Sequence, residues 1–136
     1  MFRTFEFAII FAGLTQLAIA TSSLVIPRVL GWRAETARLK PLTRQVFWTY
    51  AGYVFSMNVA FGALSLLAPR ALLDGTTLAR AVCAFIAIYW IARLVLQFTL
   101  FDRSGTVRPL FRAAEAAYVC GFAYLSVVYA VAAVIR

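Results

Sequence analysis

The chain has 136 residues, of which 64% are apolar and only 13% charged, with a net charge of +8. That length holds one helical bundle and leaves no room for a separate soluble domain. Histidine is absent, which removes the usual haem ligand, the commonest zinc ligand and the usual general base at neutral pH.

Four apolar runs fill most of the sequence. Phe7–Ile26 carries no charge over 20 residues, Val46–Ala68 none over 23, and Ala116–Ile135 none over 20. Ala81–Phe101 spans 21 residues with a single charge, Arg93. About 20 apolar residues of helix cross the ~30 Å hydrocarbon layer of a bilayer. None of the runs alternates with period two, and only helices and closed barrels satisfy their backbone in lipid. The fold class expected is therefore all-α: one domain, 1–136, of four transmembrane helices in an antiparallel up-down bundle. The expected spans are about 7–26, 46–68, 80–101 and 112–135.

The first run, preceded by Arg3 and containing Ala18-Ile19-Ala20, also has the outline of a cleavable signal peptide. Glu6 and Gln16 fit such a peptide badly, and the run is read as a retained helix. Pro27 is expected to stop it and Pro69 to stop the second span. Asp74-Gly75-Thr76-Thr77 reads as a turn whose threonine caps the third helix. Asp102-Arg103-Ser104-Gly105 reads as the turn that ends it.

The basic residues are unevenly placed. Arg28, Arg33, Arg38, Lys40 and Arg44 lie between the first two runs, and Arg103, Arg108 and Arg112 between the last two. The other side holds only Arg3, Arg70, Arg80 and Arg136. By the positive-inside rule both basic loops, 27–45 and 102–112, face the cytoplasm, with the termini outside, in a cell (inner) membrane. This use of the charge makes nucleic acid an unneeded partner. The bases serve topology, with anionic headgroups or a partner protein as the other candidates for the loop 28–44.

The two halves share the pattern base-Pro-Leu-x-Arg-x5-Tyr: Lys40, Pro41, Leu42, Arg44 and Tyr50 against Arg108, Pro109, Leu110, Arg112 and Tyr118. It is the signature either of a duplicated hairpin or of any helix starting at a membrane surface. Small residues four apart, Gly52 with Ser56, Ala8 with Ala12, and Ala113 with Ala117, are the candidates for close helix packing. Cys83 and Cys120 fall inside spans and are read as small apolar core residues.

The candidate site centres on Arg93. A charge near the bilayer centre costs at least ~2.5–3.5 kcal/mol, so it faces the bundle and takes a partner. Glu115, at a similar depth on the fourth helix, is the expected one. Tyr89, Trp90, Arg93 and Gln97 share a face of the third helix. Glu115, Tyr118, Phe122 and Tyr129 share one on the fourth, while Asn58 and Gln16 lie near the middle of the second and first. Together they form either a hydrogen-bonded cluster that sets helix register, a pocket for a lipid-like or isoprenoid molecule, or a transport path. No catalytic set stands in the sequence and no metal or cofactor is expected, a bound lipid or isoprenoid aside.

The span number is shared with DoxX-like proteins, small multidrug-resistance exporters and fluoride channels. None of their motifs stands here, and Glu6 lies too near the outer margin to match the exporters' first-helix glutamate. The expected function is that of a non-enzymatic subunit or binding module of a membrane assembly. The alternative is a binder or carrier of an apolar molecule around Arg93 and Glu115. Expected partners are membrane lipids and either further copies of the chain or other membrane subunits.

Overall fold

The structure is a computed structural model that describes residues 1–100 and 109–135. Those residues form helices α1 (Phe2–Ser23), α2 (Ile26–Val29), α3 (Trp32–Thr36), α4 (Pro41–Leu67), α5 (Pro69–Leu72), α6 (Thr77–Thr99) and α7 (Pro109–Val134). The described residues contain no strand, and four segments are long and apolar enough to cross a membrane: Phe2–Val29, α4, α6 and α7. The expected turn 102–105, with Arg103 and Arg108, lies outside the described residues.

Each long helix starts before its apolar run. Pro41 opens α4 and Pro109 opens α7, because a proline in the first turn lacks only an N–H that would have no helical partner. Hydropathy marks where lipid begins, whereas the helix extends through the polar margin. At 27 residues α4 is about 40 Å long, some 10 Å more than the hydrocarbon layer. Thr76 caps α6 as expected, its hydroxyl accepting from the Ala79 N–H at 3.2 Å, and Gly75 makes the preceding turn at φ +77°.

Pro27 does not stop the first span. The helix ends four residues earlier, where Ser22 and Ser23 turn their hydroxyls onto Ile19 O and Ala20 O, offering these carbonyls an alternative donor. The Leu24 and Val25 N–H groups then bond three residues back, to Thr21 O and Ser22 O. Pro27 sits in the first turn of α2, where it is tolerated.

α1 packs against α4 and α7, and α6 packs against α7. The α1–α4 contact is set by two glycines that the sequence reading did not select. A Cβ on Gly13 would meet Gly62 O and Ser65 Cβ at 3.0 Å; one on Gly62 would meet Leu17 at 2.8 Å. Of the pairs expected at interfaces, Ala12 is buried. Gly52 and Ser56 face outward, with nothing within 4 Å of a Cβ at Gly52, and Ala113 and Ala117 are exposed too. Their spacing was right for a close crossing, but the crossing lies on another face. Between α6 and α7, Arg80 Nε donates to Ala133 O at 2.9 Å, and the Trp90 and Phe122 rings stack 5.4 Å apart. α5 turns Leu72 into the core beside Cys83, whose thiol lies 3.4 Å from Leu72 O. Cys120, expected in the core, is exposed: α7 turns another face inward, that of Phe122, Leu125 and Tyr129.

Candidate functional site

The most deeply buried polar side chains form one chain of hydrogen bonds through all four long helices. Trp90 Nε1 of α6 donates to Gln16 Oε1 of α1 at 3.1 Å. Gln16 Nε2 donates to the Tyr129 hydroxyl of α7 at 2.5 Å and lies 3.4 Å from Ala12 O. The Tyr129 hydroxyl lies 2.5 Å from Ser65 Oγ of α4, and Ser65 donates its own proton to Phe61 O at 2.9 Å. Tyr129 must therefore be the donor to Ser65. The direction runs Trp90, Gln16, Tyr129, Ser65, Phe61 carbonyl, and none of the four side chains is more than 1% exposed.

The reason these groups bond to one another is the solvent. In an apolar interior an unpaired amide or hydroxyl costs several kcal/mol. Among the described residues every buried side-chain nitrogen and oxygen has a partner. Gly13 makes the chain reachable: without a Cβ there, α1 comes close enough to α4 for Ser65 to lie beside it.

The polar face expected from sequence is divided among several contacts. Gln16 and Trp90 join Tyr129 and Ser65. Asn58 accepts instead from the Tyr89 hydroxyl at 3.1 Å, linking α4 to α6. Tyr118 shares a short hydrogen bond with Ser22, linking α7 to α1, and Tyr124 donates to Ala8 O at 3.0 Å. Arg93 Nη1 donates to Gln97 Oε1 at 3.1 Å, and its guanidinium carbon lies 4.9 Å from the centroid of the Phe122 ring. Glu115 is half-buried on α7, seven positions before Phe122 and so on nearly the same stripe.

Ser65 is the member that sequence reasoning missed. Serine is common in apolar helices and carries no alarm, but Gly62 three positions earlier marks the same face as a close contact. Tyr129 follows Glu115 and Phe122 at seven-residue spacing on α7, and its hydroxyl bonds to side chains of α1 and α4.

The loop bases Arg28, Arg33, Arg38 and Lys40, with Arg112, are exposed, and Arg44 is half-buried. At the opposite end of the bundle Arg70 Nε pairs with Glu6 Oε1 at 2.9 Å. There too Asp74 accepts from the Thr76 N–H at 2.9 Å and its hydroxyl at 2.7 Å. These bonds hold the Asp74 carboxyl below its ordinary pKa. Among the described residues no three His, Cys, Asp or Glu side chains come together as a metal site.

Fold and contacts together define an all-helical protein with four helices long and apolar enough to cross a membrane, in which the buried polar side chains of the described residues all have hydrogen-bond partners. No family model matches the chain, and neither a curated protein nor a solved structure matches it.

Proposed function

We propose that this chain is an antiparallel up-down bundle acting as a non-enzymatic subunit of a membrane assembly, working through its outer surface. The observation that carries this reading is the hydrogen-bond chain. It begins at an indole N–H and ends at a backbone carbonyl, neither of which releases a proton at ordinary pH. Such a chain fixes helix register; it does not relay protons or bind a polar substrate.

The outer surface offers what the interior does not. Gly52, Ser56 and Ala60 recur every fourth residue on an exposed stripe of α4. Small residues at that spacing let a second helix approach closely, which is what drives association where lipid supplies no hydrophobic force. The basic loops 27–45 and 102–112 face the cytoplasm in this reading, with both termini outside. Arg93 and Glu115 form a charge pair near the cytoplasmic side.

Native mass spectrometry after mild detergent extraction tests the reading. A species heavier than the 15.1 kDa chain is expected, and Gly52→Leu should dissociate it without unfolding the bundle. A monomer with no protein partner would refute it. An isoprenoid or lipid bound one-to-one and lost in Arg93→Leu would favour a carrier instead.

A further inference from the structure

Beside the assembly reading, and independent of it, stands a cavity at the end of the bundle that holds the first basic loop. Gly31, at φ +66°, reverses the chain so that α3 folds back on the start of α4. Trp32, Phe47 and Trp48 meet there with every pair of rings edge-on, centroids 5.3 to 6.4 Å apart. Trp32, Glu35, Thr36, Leu39 and Phe47 line an open, surface-facing cavity of about 340 Å³.

The polar groups of this cavity are not equivalent. Thr36 is fully used, donating to Trp32 O at 2.6 Å and accepting from Trp48 Nε1 at 3.3 Å. Glu35 is different: its carboxylate makes no hydrogen bond or ion pair. An apolar, aromatic-walled cavity with one free carboxylate suits an organic cation, which aromatic rings and a negative charge both attract.

Depth and flanking charge narrow the occupant. Thr43-Arg44-Gln45 occupies the part of α4 that exceeds the hydrocarbon thickness, and the uncharged run begins at Val46. Phe47 and Trp48 thus lie at the boundary between headgroups and acyl chains. Arg33, Arg38 and Lys40 adjoin the cavity residues in sequence and are exposed. A zwitterionic phospholipid presents an ammonium, a phosphate and two acyl chains at this same depth.

We infer that the cavity takes the ammonium of such a phospholipid headgroup. Glu35 and the rings of Trp32 and Phe47 meet the cation, and the neighbouring arginines face the phosphate. An anionic headgroup without an ammonium meets Glu35 with like charge and is disfavoured. The inference requires that the chain span a membrane, but not that the loop face a given side.

The test is a titration of the detergent-purified chain, followed by native mass spectrometry. Phosphatidylethanolamine, phosphatidylcholine and phosphatidylglycerol with identical acyl chains are compared for their first binding step. The two zwitterionic lipids should bind roughly five- to tenfold tighter than phosphatidylglycerol, and Glu35→Gln should abolish that preference. The Glu35 side chain is exposed and makes no hydrogen bond or ion pair, so this variant keeps the bundle. Equal binding of phosphatidylglycerol to the natural chain, or an unchanged preference in Glu35→Gln, overturns the inference. Phosphocholine displacing the lipid at equal concentration overturns the lipid as the source of the cation. A chain that proves monomeric yet selects the zwitterionic lipids would sink the assembly reading and leave this one standing.

Discussion

Gln16 and Tyr129 lie 113 positions apart in sequence and meet in the middle of the bundle, amide to hydroxyl, at 2.5 Å. Tyr129→Phe removes the hydroxyl that joins Gln16 to Ser65 and keeps the ring packing. A loss of about 1–2 kcal/mol is expected, because Gln16 Nε2 loses its best acceptor in an apolar interior. Adding Gln16→Leu should cost less than it does in the natural chain, since the group left unpaired is then gone. Reversible SDS unfolding in bicelles measures both; fully additive losses would show that the contact contributes nothing.

Two glycines in the same bundle should respond with opposite sign to alanine. At Gly13 the new Cβ meets Gly62 O and Ser65 Cβ at 3.0 Å, so the α1–α4 crossing must widen. A loss of about 1–3 kcal/mol is expected, with the Ser65 contact weakened too. At Gly52 the Cβ meets nothing within 4 Å. Removing a helix-interior glycine there should gain about 0.5–1 kcal/mol for the isolated bundle. The same unfolding assay on both variants checks the contrast.

Arg93 and Glu115 are tested by a double-mutant cycle. In the proposed pair each single leucine substitution removes one of two coupled charges, so Arg93→Leu with Glu115→Leu should cost less than the sum of the two single changes. Strict additivity would remove the pair from the proposed arrangement. Gln97→Leu should weaken Arg93's hold more modestly, since the guanidinium keeps its place over Phe122.

Asp74 makes stability depend on acid. Its carboxyl titrates below the ordinary value because the Thr76 N–H and hydroxyl favour the charged form. A group depressed in the folded state stabilises fully above its unfolded pKa, about 4, and that contribution fades as pH falls through the lower folded value. Asp74→Asn should therefore lower stability slightly at pH 7, where the charged form contributes in full, and flatten the acid limb of the unfolding profile below about pH 4. An NMR titration of Asp74 giving an ordinary pKa would contradict this.

The repeat in the sequence illustrates what a pattern can and cannot say. Pro41 and Pro109 both open long helices, because proline's missing N–H and fixed φ act locally, whatever surrounds them. Their tyrosines part company. Tyr50 is 64% exposed, whereas Tyr118 is half-buried and bonded to Ser22. Identical spacing places each tyrosine two turns into its helix; which neighbour it meets depends on helices elsewhere in the chain.

Length and hydropathy by themselves determined that the described residues include four segments able to cross a membrane, since burial of apolar side chains in lipid needs only a count along one helix. Local chemistry likewise determined the Thr76 cap and the proline starts. Which polar groups share a contact was decided only by the tertiary structure. Gln16, Ser65, Trp90 and Tyr129 sit on four helices, and their union depends on the rotation of each helix about its axis and on Gly13 and Gly62 letting two backbones nearly touch. Rotation is set by side chains distant in sequence, and a periodicity reading sees one helix at a time. Arg93 stands out in the sequence as the single charge within the third apolar run, while the deepest polar chain is built from uncharged groups that raise no such signal.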